Sequence, residues 1–133
     1  MMAEENERPW GWYNILKEGE RYKVKRISVK PGEAFSLQYH NNRKENWTIV
    51  RGSGKVTKCS LEEYENAKKG IGGIALSDLE MRVSSGDSVE IPIGTVHRFE
   101  ADNGVVAEFI EVQTGDYLGE DDIVRLEDNY GRT

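Results

Sequence analysis

The sequence predicts an all-β domain, a sandwich or barrel built from short strands. Three observations lead there. Apolar and β-branched residues recur in short alternating runs, turn-forming Gly, Pro, Asn and Asp interrupt them at close intervals, and a single stretch carries helix signals.

Taken in order, Met1 to Glu7 is acidic and polar and is expected to be a disordered terminus. In Arg8-Pro9-Trp10-Gly11-Trp12-Tyr13, Pro and Gly oppose a helix, and the aromatics are expected to cover the open end of a sheet or a subunit contact. Glu18-Gly19-Glu20 is a turn, and Tyr22 to Val29 has the β-branched content of a strand. That strand holds the densest basic cluster, Lys23, Lys25 and Arg26. Arg26 shares parity with Tyr22 and Val24, so it is expected to face whatever the sheet encloses, with Lys23 and Lys25 pointing away.

After Lys30-Pro31-Gly32 come two strands joined by the polar turn Asn41-Asn42-Arg43-Lys44. Gln38 and His40 project from one face of the first strand, and Glu45, Trp47 and Ile49 share a face of the second. A hairpin brings Glu45 back opposite the Gln38/His40 pair. Arg51-Gly52-Ser53-Gly54 turns the chain into a strand over Lys55 to Lys58. Residues 59–79 read as an inserted loop with one helical segment: Ser60 is an N-cap, Glu63 completes a capping box, and the helix ends before Gly70. The glycine-rich Gly70 to Ile74 lacks the Lys-Ser/Thr of a phosphate-binding P-loop and is expected to be a flexible excursion. Strands return over Met81 to Ser84, Ser88 to Ile91, Val96 to Ala101 and, after the Asp102-Asn103-Gly104 turn, Val105 to Gln113. The acidic tail is anchored by Leu118, Ile123, Val124 and Leu126. Its Asp121 and Asp122 read as a helix N-terminus or solvated turn rather than as metal ligands.

The 133 residues are enough for one domain spanning 1–133 with its own core. A formal charge of -6 argues against a nucleic-acid footprint. With no long apolar run and no leader-like segment, no membrane association is expected, and cytoplasmic residence is the default expectation. The single cysteine, Cys59, is consistent with a reducing compartment.

Two stretches carry chemistry. Gly32 to Gly52 has the spacing G-x5-Q-x-H-x4-E-x6-G, and Gly86 to His97 has G-x5-P-x-G-x2-H. Together they resemble the paired motifs of the cupin superfamily, with Gln38 where many cupins carry histidine and Ala101 where the second motif often closes with asparagine. The resemblance implies a jelly roll, or double-stranded β-helix, in which Gln38, His40, Glu45 and His97 hold a divalent metal. This donor set suits zinc and is also compatible with manganese, iron, cobalt or nickel.

With its flanks included, the chain resembles the C-terminal domain of type II mannose-6-phosphate isomerases. The likeness rests on Arg8 to Tyr13, Tyr22 to Ile27, Ser36 to Gln38, Ile91-Pro92, His97-Arg98, Ile110 to Gln113 and Tyr117 to Ile123. A single His40 with Asn41 and Asn42 replaces that family's histidine run, which bears on specificity rather than on the metal positions. The resemblance implies a metal-dependent aldose–ketose isomerase acting on mannose 6-phosphate. As no room precedes Arg8 for a nucleotide-binding domain, a stand-alone enzyme is expected. Its ligand is expected to be a small sugar phosphate and its state a homodimer. Arg26 and Arg98 are the candidates for phosphate or transition-state contacts, Lys25 a weaker one, and Glu111 a candidate base that shares inward parity with Phe109 and Ala107. Arg98 adjoins inward His97 and so should point outward in an unbulged strand. Two other readings stay open: a cupin of different chemistry, such as an oxygenase or epimerase, and a non-catalytic metal or sugar-phosphate binding module.

Overall fold

In the computed structural model, which describes residues 5–132, alternation along each strand sends every second side chain inward, and two sheets close over those faces. The strands are β1 (Asn6–Arg8), β2 (Gly11–Glu18), β3 (Tyr22–Val29), β4 (Leu37–Tyr39), β5 (Arg43–Arg51), β6 (Ser53–Cys59), β7 (Glu80–Ser84), β8 (Ser88–Ile91), β9 (Val96–Ala101), β10 (Ala107–Gly115) and β11 (Val124–Glu127). One sheet has the order β1-β2-β3-β10-β5-β8 and the other β11-β4-β9-β6-β7. Neighbouring strands pair antiparallel, as β10 does with both β3 and β5. This is the all-β architecture the strand pattern predicts.

The apolar inward residues form one aromatic-rich core. Trp47 packs on Phe109 with ring centroids 4.6 Å apart, Phe99 on Phe109 at 5.4 Å and Phe35 on Trp47 at 5.9 Å. The turn between β5 and β6 needs glycine. Gly52 has φ +76°, and a Cβ there would lie 2.3 Å from the Val106 carbonyl oxygen.

Several elements differ from the sequence reading. Of the terminus expected to be disordered, residues 1–4 lie outside the described residues, while Asn6 and Glu7 belong to β1. The Pro-Trp-Gly segment turns directly into the eight-residue β2, and Trp10 and Tyr13 are buried in the core rather than laid over it. Residues 59–79 carry α1 (Leu61–Lys69) and two short 3-10 turns, Ile71–Gly73 and Leu76–Leu79. The predicted capping box is present: Ser60 Oγ accepts from the Glu63 amide at 3.0 Å, and Glu63 Oε1 accepts from the Ser60 amide at 2.8 Å. Tyr64 on α1 packs in a second cluster with Leu37, Cys59 and Val96. None of the helices among the described residues is long and apolar enough to cross a membrane.

Phe109 is fully buried and touches three other rings. Phe109→Ala is expected to destabilise the fold by about 3–5 kcal/mol, measurable as a lower midpoint in urea unfolding.

Candidate functional site

Four predicted side chains meet at one end of the space between the sheets. Gln38 on β4 and His97 on β9 are direct register partners, His40 directly follows β4, and Glu45 lies on β5 in the facing sheet. One ligand-type atom from each of His40, Glu45 and His97 falls within 4.8 Å of the others. His40 Nε2 lies 3.1 Å from Glu45 Oε2, and His97 Nε2 lies 3.7 Å from Glu45 Oε1.

The second nitrogen of each ring fixes its tautomer. His40 Nδ1–H donates to the Asp122 carbonyl at 2.6 Å and His97 Nδ1–H to the Thr95 carbonyl at 2.9 Å. Both Nε2 lone pairs therefore face Glu45, the arrangement a cation needs. Gln38 Nε2 donates to the Ser36 carbonyl at 3.2 Å, which leaves its amide oxygen as the atom that could face a cation. Burial pushes the His97 pKa down to about 4, against the attraction of Glu45, so the ring is neutral at pH 7. Burial opposes ionisation of Glu45 as well, but His40, His97 and the Arg43 guanidinium gathered around it outweigh burial and hold the carboxyl well below the usual range. Two imidazoles, a carboxylate and an amide oxygen thus fit a zinc-type ion.

Arg43 sits among the same donors. Its Nε donates to Glu45 Oε2 at 2.9 Å and its Nη2 to the His40 Nε2 lone pair at 3.1 Å. Trp47 Nε1 donates to Glu45 Oε1 at 3.0 Å. The sequence reading placed Arg43 in a turn, although it shares strand parity with Glu45, Trp47 and Ile49.

The cavity above these groups is lined by cations and carboxylates. Glu111 faces inward as expected: it is buried, accepts from Gln113 Nε2 at 2.5 Å, and is pushed up to about 8 by burial and by Glu45. Lys25 also lines the cavity, lying 4.1 Å from the Tyr13 ring centroid and pairing with Glu120. Lys23 Nζ donates to the Leu118 carbonyl at 3.0 Å and lies 3.8 Å from Glu120.

Two predicted residues are not in the site. Arg26 lies on the outer sheet face, where Nε and Nη2 donate to Glu108 Oε1 at 3.0 and 2.8 Å and the guanidinium covers Trp12. The phase of β3 is set by Ile27 and Val29, which enter the core. Lys25 follows them inward and Arg26 alternates outward, the reverse of the expectation drawn from Tyr22. Arg98 turns away from His97 and donates to the Phe35 and Glu127 carbonyls at 3.1 and 3.2 Å, which makes it a tie between strands.

Asp122 is neither a solvated turn residue nor aimed at the cavity. Its carboxylate accepts from the Asn41 and Asn42 amides at 2.9 Å each while its carbonyl holds His40. Burial works against its charge, but the two amides hold the carboxyl below its ordinary range. No local signal announces this contact, because its partners lie some eighty residues upstream in sequence.

A family profile described as the mannose-6-phosphate isomerase C-terminal domain matches residues 1–68 and 62–128. The chain is 43% identical over 126 residues to the xanthan biosynthesis protein XanB of Xanthomonas campestris pv. campestris strain B100, a match covering 95% of this chain and 23% of XanB. It is 42% identical over 131 residues to the mannose-1-phosphate guanylyltransferase ManC of Salmonella typhimurium, covering 98% of this chain and 24% of ManC. Among solved structures, the capsular polysaccharide assembling protein CapF of Staphylococcus aureus superposes with a TM-score of 0.75 at 20% identity, over 96% of this chain and 33% of CapF. The fold is that of the cupins.

These findings correct the expectation of a stand-alone mannose-6-phosphate isomerase. The chain spans about a quarter of the length of the curated relatives it matches. Those relatives are named for guanylyl transfer or for xanthan and alginate biosynthesis, not as free-standing isomerases.

Asp122→Ala removes the carboxylate that ties the tail to the His40 turn. If His40 ligates zinc, this change is expected to weaken zinc affinity by about ten-fold, as loss of a ligand's outer support does. Competition with a chromophoric chelator measures this, and unchanged affinity would mean that His40 is held by other means.

Proposed function

Because the chain belongs to the mannose-6-phosphate isomerase C-terminal family, we propose that it is the metal-holding, sugar-phosphate-binding domain of a mannose-phosphate enzyme of the guanylyltransferase class. The observation that carries this reading is the convergence of His40, Glu45 and His97, with the Gln38 amide beside them, in a cavity also lined by Arg8, Lys25, Arg43, Arg125 and Arg132. A neutral sugar has no need of such a cationic wall, whereas a phosphorylated one does. Zinc is the metal that the donor set favours.

A bound divalent cation supplies Lewis-acid polarisation of the sugar's carbonyl and hydroxyl oxygens. The protein does the rest. Asp122 and Thr95 hold the two imidazoles in register, Trp10, Tyr13 and Phe35 wall the cavity with aromatic surface, and Glu120 keeps Lys25 and Arg43 in place. Isomerase-like chemistry is the finer reading of the family's description. It assigns the proton-handling role to Glu111, which lines the cavity, and it applies to a domain within the guanylyltransferase class.

Titration calorimetry with mannose 6-phosphate tests the proposal. Saturable binding is expected with zinc and none after chelation. His40→Ala and Glu45→Gln are expected to lose measurable zinc binding while circular dichroism keeps its β signature. Equal affinity for mannose 6-phosphate with and without zinc would contradict the reading.

A further inference from the structure

The cavity opens between the free edges of the two sheets, with β1 and β2 on one side and β11 and β4 on the other. Three arginines line it from these edges. Arg8 ends β1, Arg125 is on β11, and Arg132 lies in the turn beyond β11. Arg125 is the register partner of Gln38, and directly paired residues project from the same face of a sheet. Its guanidinium therefore stands over the strand that carries a proposed metal ligand.

The cations along the cavity differ in how their charge is met. Lys25 pairs with Glu120, and Arg43 pairs with Glu45 at 2.9 Å. A phosphoryl group entering there has to displace Glu120 and approach the ionised Glu45, and like charges repel strongly where water is scarce. At the mouth, no carboxylate among the described residues pairs with Arg8 or Arg125.

Two of the three arginines are already oriented. Arg8 Nη2 donates to Tyr13 Oη at 3.2 Å, and its guanidinium lies 5.1 Å from that ring's centroid. Arg132 is gripped by Asp128, with Nε and Nη2 donating at 2.8 and 2.9 Å, which leaves Nη1 for another acceptor. Pre-oriented guanidinium forks suit the tetrahedral oxygens of a phosphoryl group and lose little freedom on binding it.

We propose that Arg8, Arg125 and Arg132 form a clamp at the cavity mouth for the phosphoryl group of a ligand whose hydroxyl oxygens face the His40, Glu45 and His97 centre. This rests on the sugar-phosphate reading above and gives the phosphate contact to residues other than Arg26 and Arg98. It also sets the polarity of the ligand, with the phosphate outward and the sugar carbons inward.

The test is calorimetry on the zinc-loaded chain with three probes: mannose 6-phosphate, mannose and inorganic phosphate. Arg8→Ala and Arg125→Ala are each expected to weaken mannose 6-phosphate binding by about ten-fold, the loss of a charge-assisted hydrogen bond, and the double variant by more. Zinc affinity, thermal unfolding and any mannose binding stay as in the unsubstituted protein. Inorganic phosphate is expected to bind more weakly than mannose 6-phosphate and to lose affinity with the same substitutions. A double variant that binds mannose 6-phosphate as tightly as the unsubstituted chain overturns the clamp alone, as does an equal loss for mannose. An unsubstituted, zinc-loaded chain that ignores mannose 6-phosphate overturns the clamp together with the function it rests on.

Discussion

A carboxylate with 1% of its surface exposed cannot stay ionised inside a β-sandwich unless positive groups and hydrogen-bond donors converge on it. Glu45 imposes that requirement, and the polar end of this molecule is arranged around it. Arg43 and Trp47, each two residues away on the same strand face, donate one hydrogen bond to each of its oxygens. His40 and His97 present Nε2 lone pairs toward it from the opposite sheet. Those lone pairs need a cation to justify their approach to an anion. Arg43 meets part of that need, since it donates to His40 as well, and a divalent ion would meet the rest. Removing any one partner leaves a buried charge exposed to its full desolvation cost, several kcal/mol in systems of this kind. The interaction is therefore a constraint on the fold as much as a means of function.

The second constraint is the tail that closes the barrel end. Residues 116–123 run from the end of β10 to the start of β11 and place two carboxylates with different tasks. Glu120 answers the lysines that the phase of β3 turns inward, and Asp122 fastens the Asn41-Asn42 turn while its carbonyl orients His40. The same short segment thus sets the orientation of His40, a proposed metal ligand, and the charge of the cavity wall.

The local parts of this arrangement were legible in the sequence. Strand parity alone put Gln38 and His40 on one face, the Asn41 to Lys44 turn returned Glu45 to them, and Ser60 with Glu63 marked the helix start. What stayed hidden depended on long-range phase. Parity with Tyr22 and Val24 points Arg26 inward, yet Ile27 and Val29 fix the phase of that strand, and lysines can lie inward when a carboxylate eighty or more residues downstream receives them. Arg43 looked like a turn residue because its neighbours are polar, although its parity with Trp47 carried the correct signal. β2 was obscured by Pro9 and Gly11, which break a helix but leave a strand free to begin. No pattern near Asp122 announces that its partners are Asn41 and Asn42.

The proposed function draws on the family relationship and on the cavity together. The relatives are named for mannose-1-phosphate guanylyl transfer or for xanthan and alginate biosynthesis, and the site pairs a metal-type donor set with a cavity wall rich in arginine and lysine. The central claim is that His40 and His97 share one cation with Glu45. Zinc K-edge X-ray absorption on the zinc-loaded chain tests it most directly. The account predicts two imidazole nitrogens at about 2.0–2.1 Å with oxygen completing the shell. A sulfur scatterer at about 2.3 Å, which only Cys59 or a methionine supplies, or a shell without imidazole scattering would contradict it.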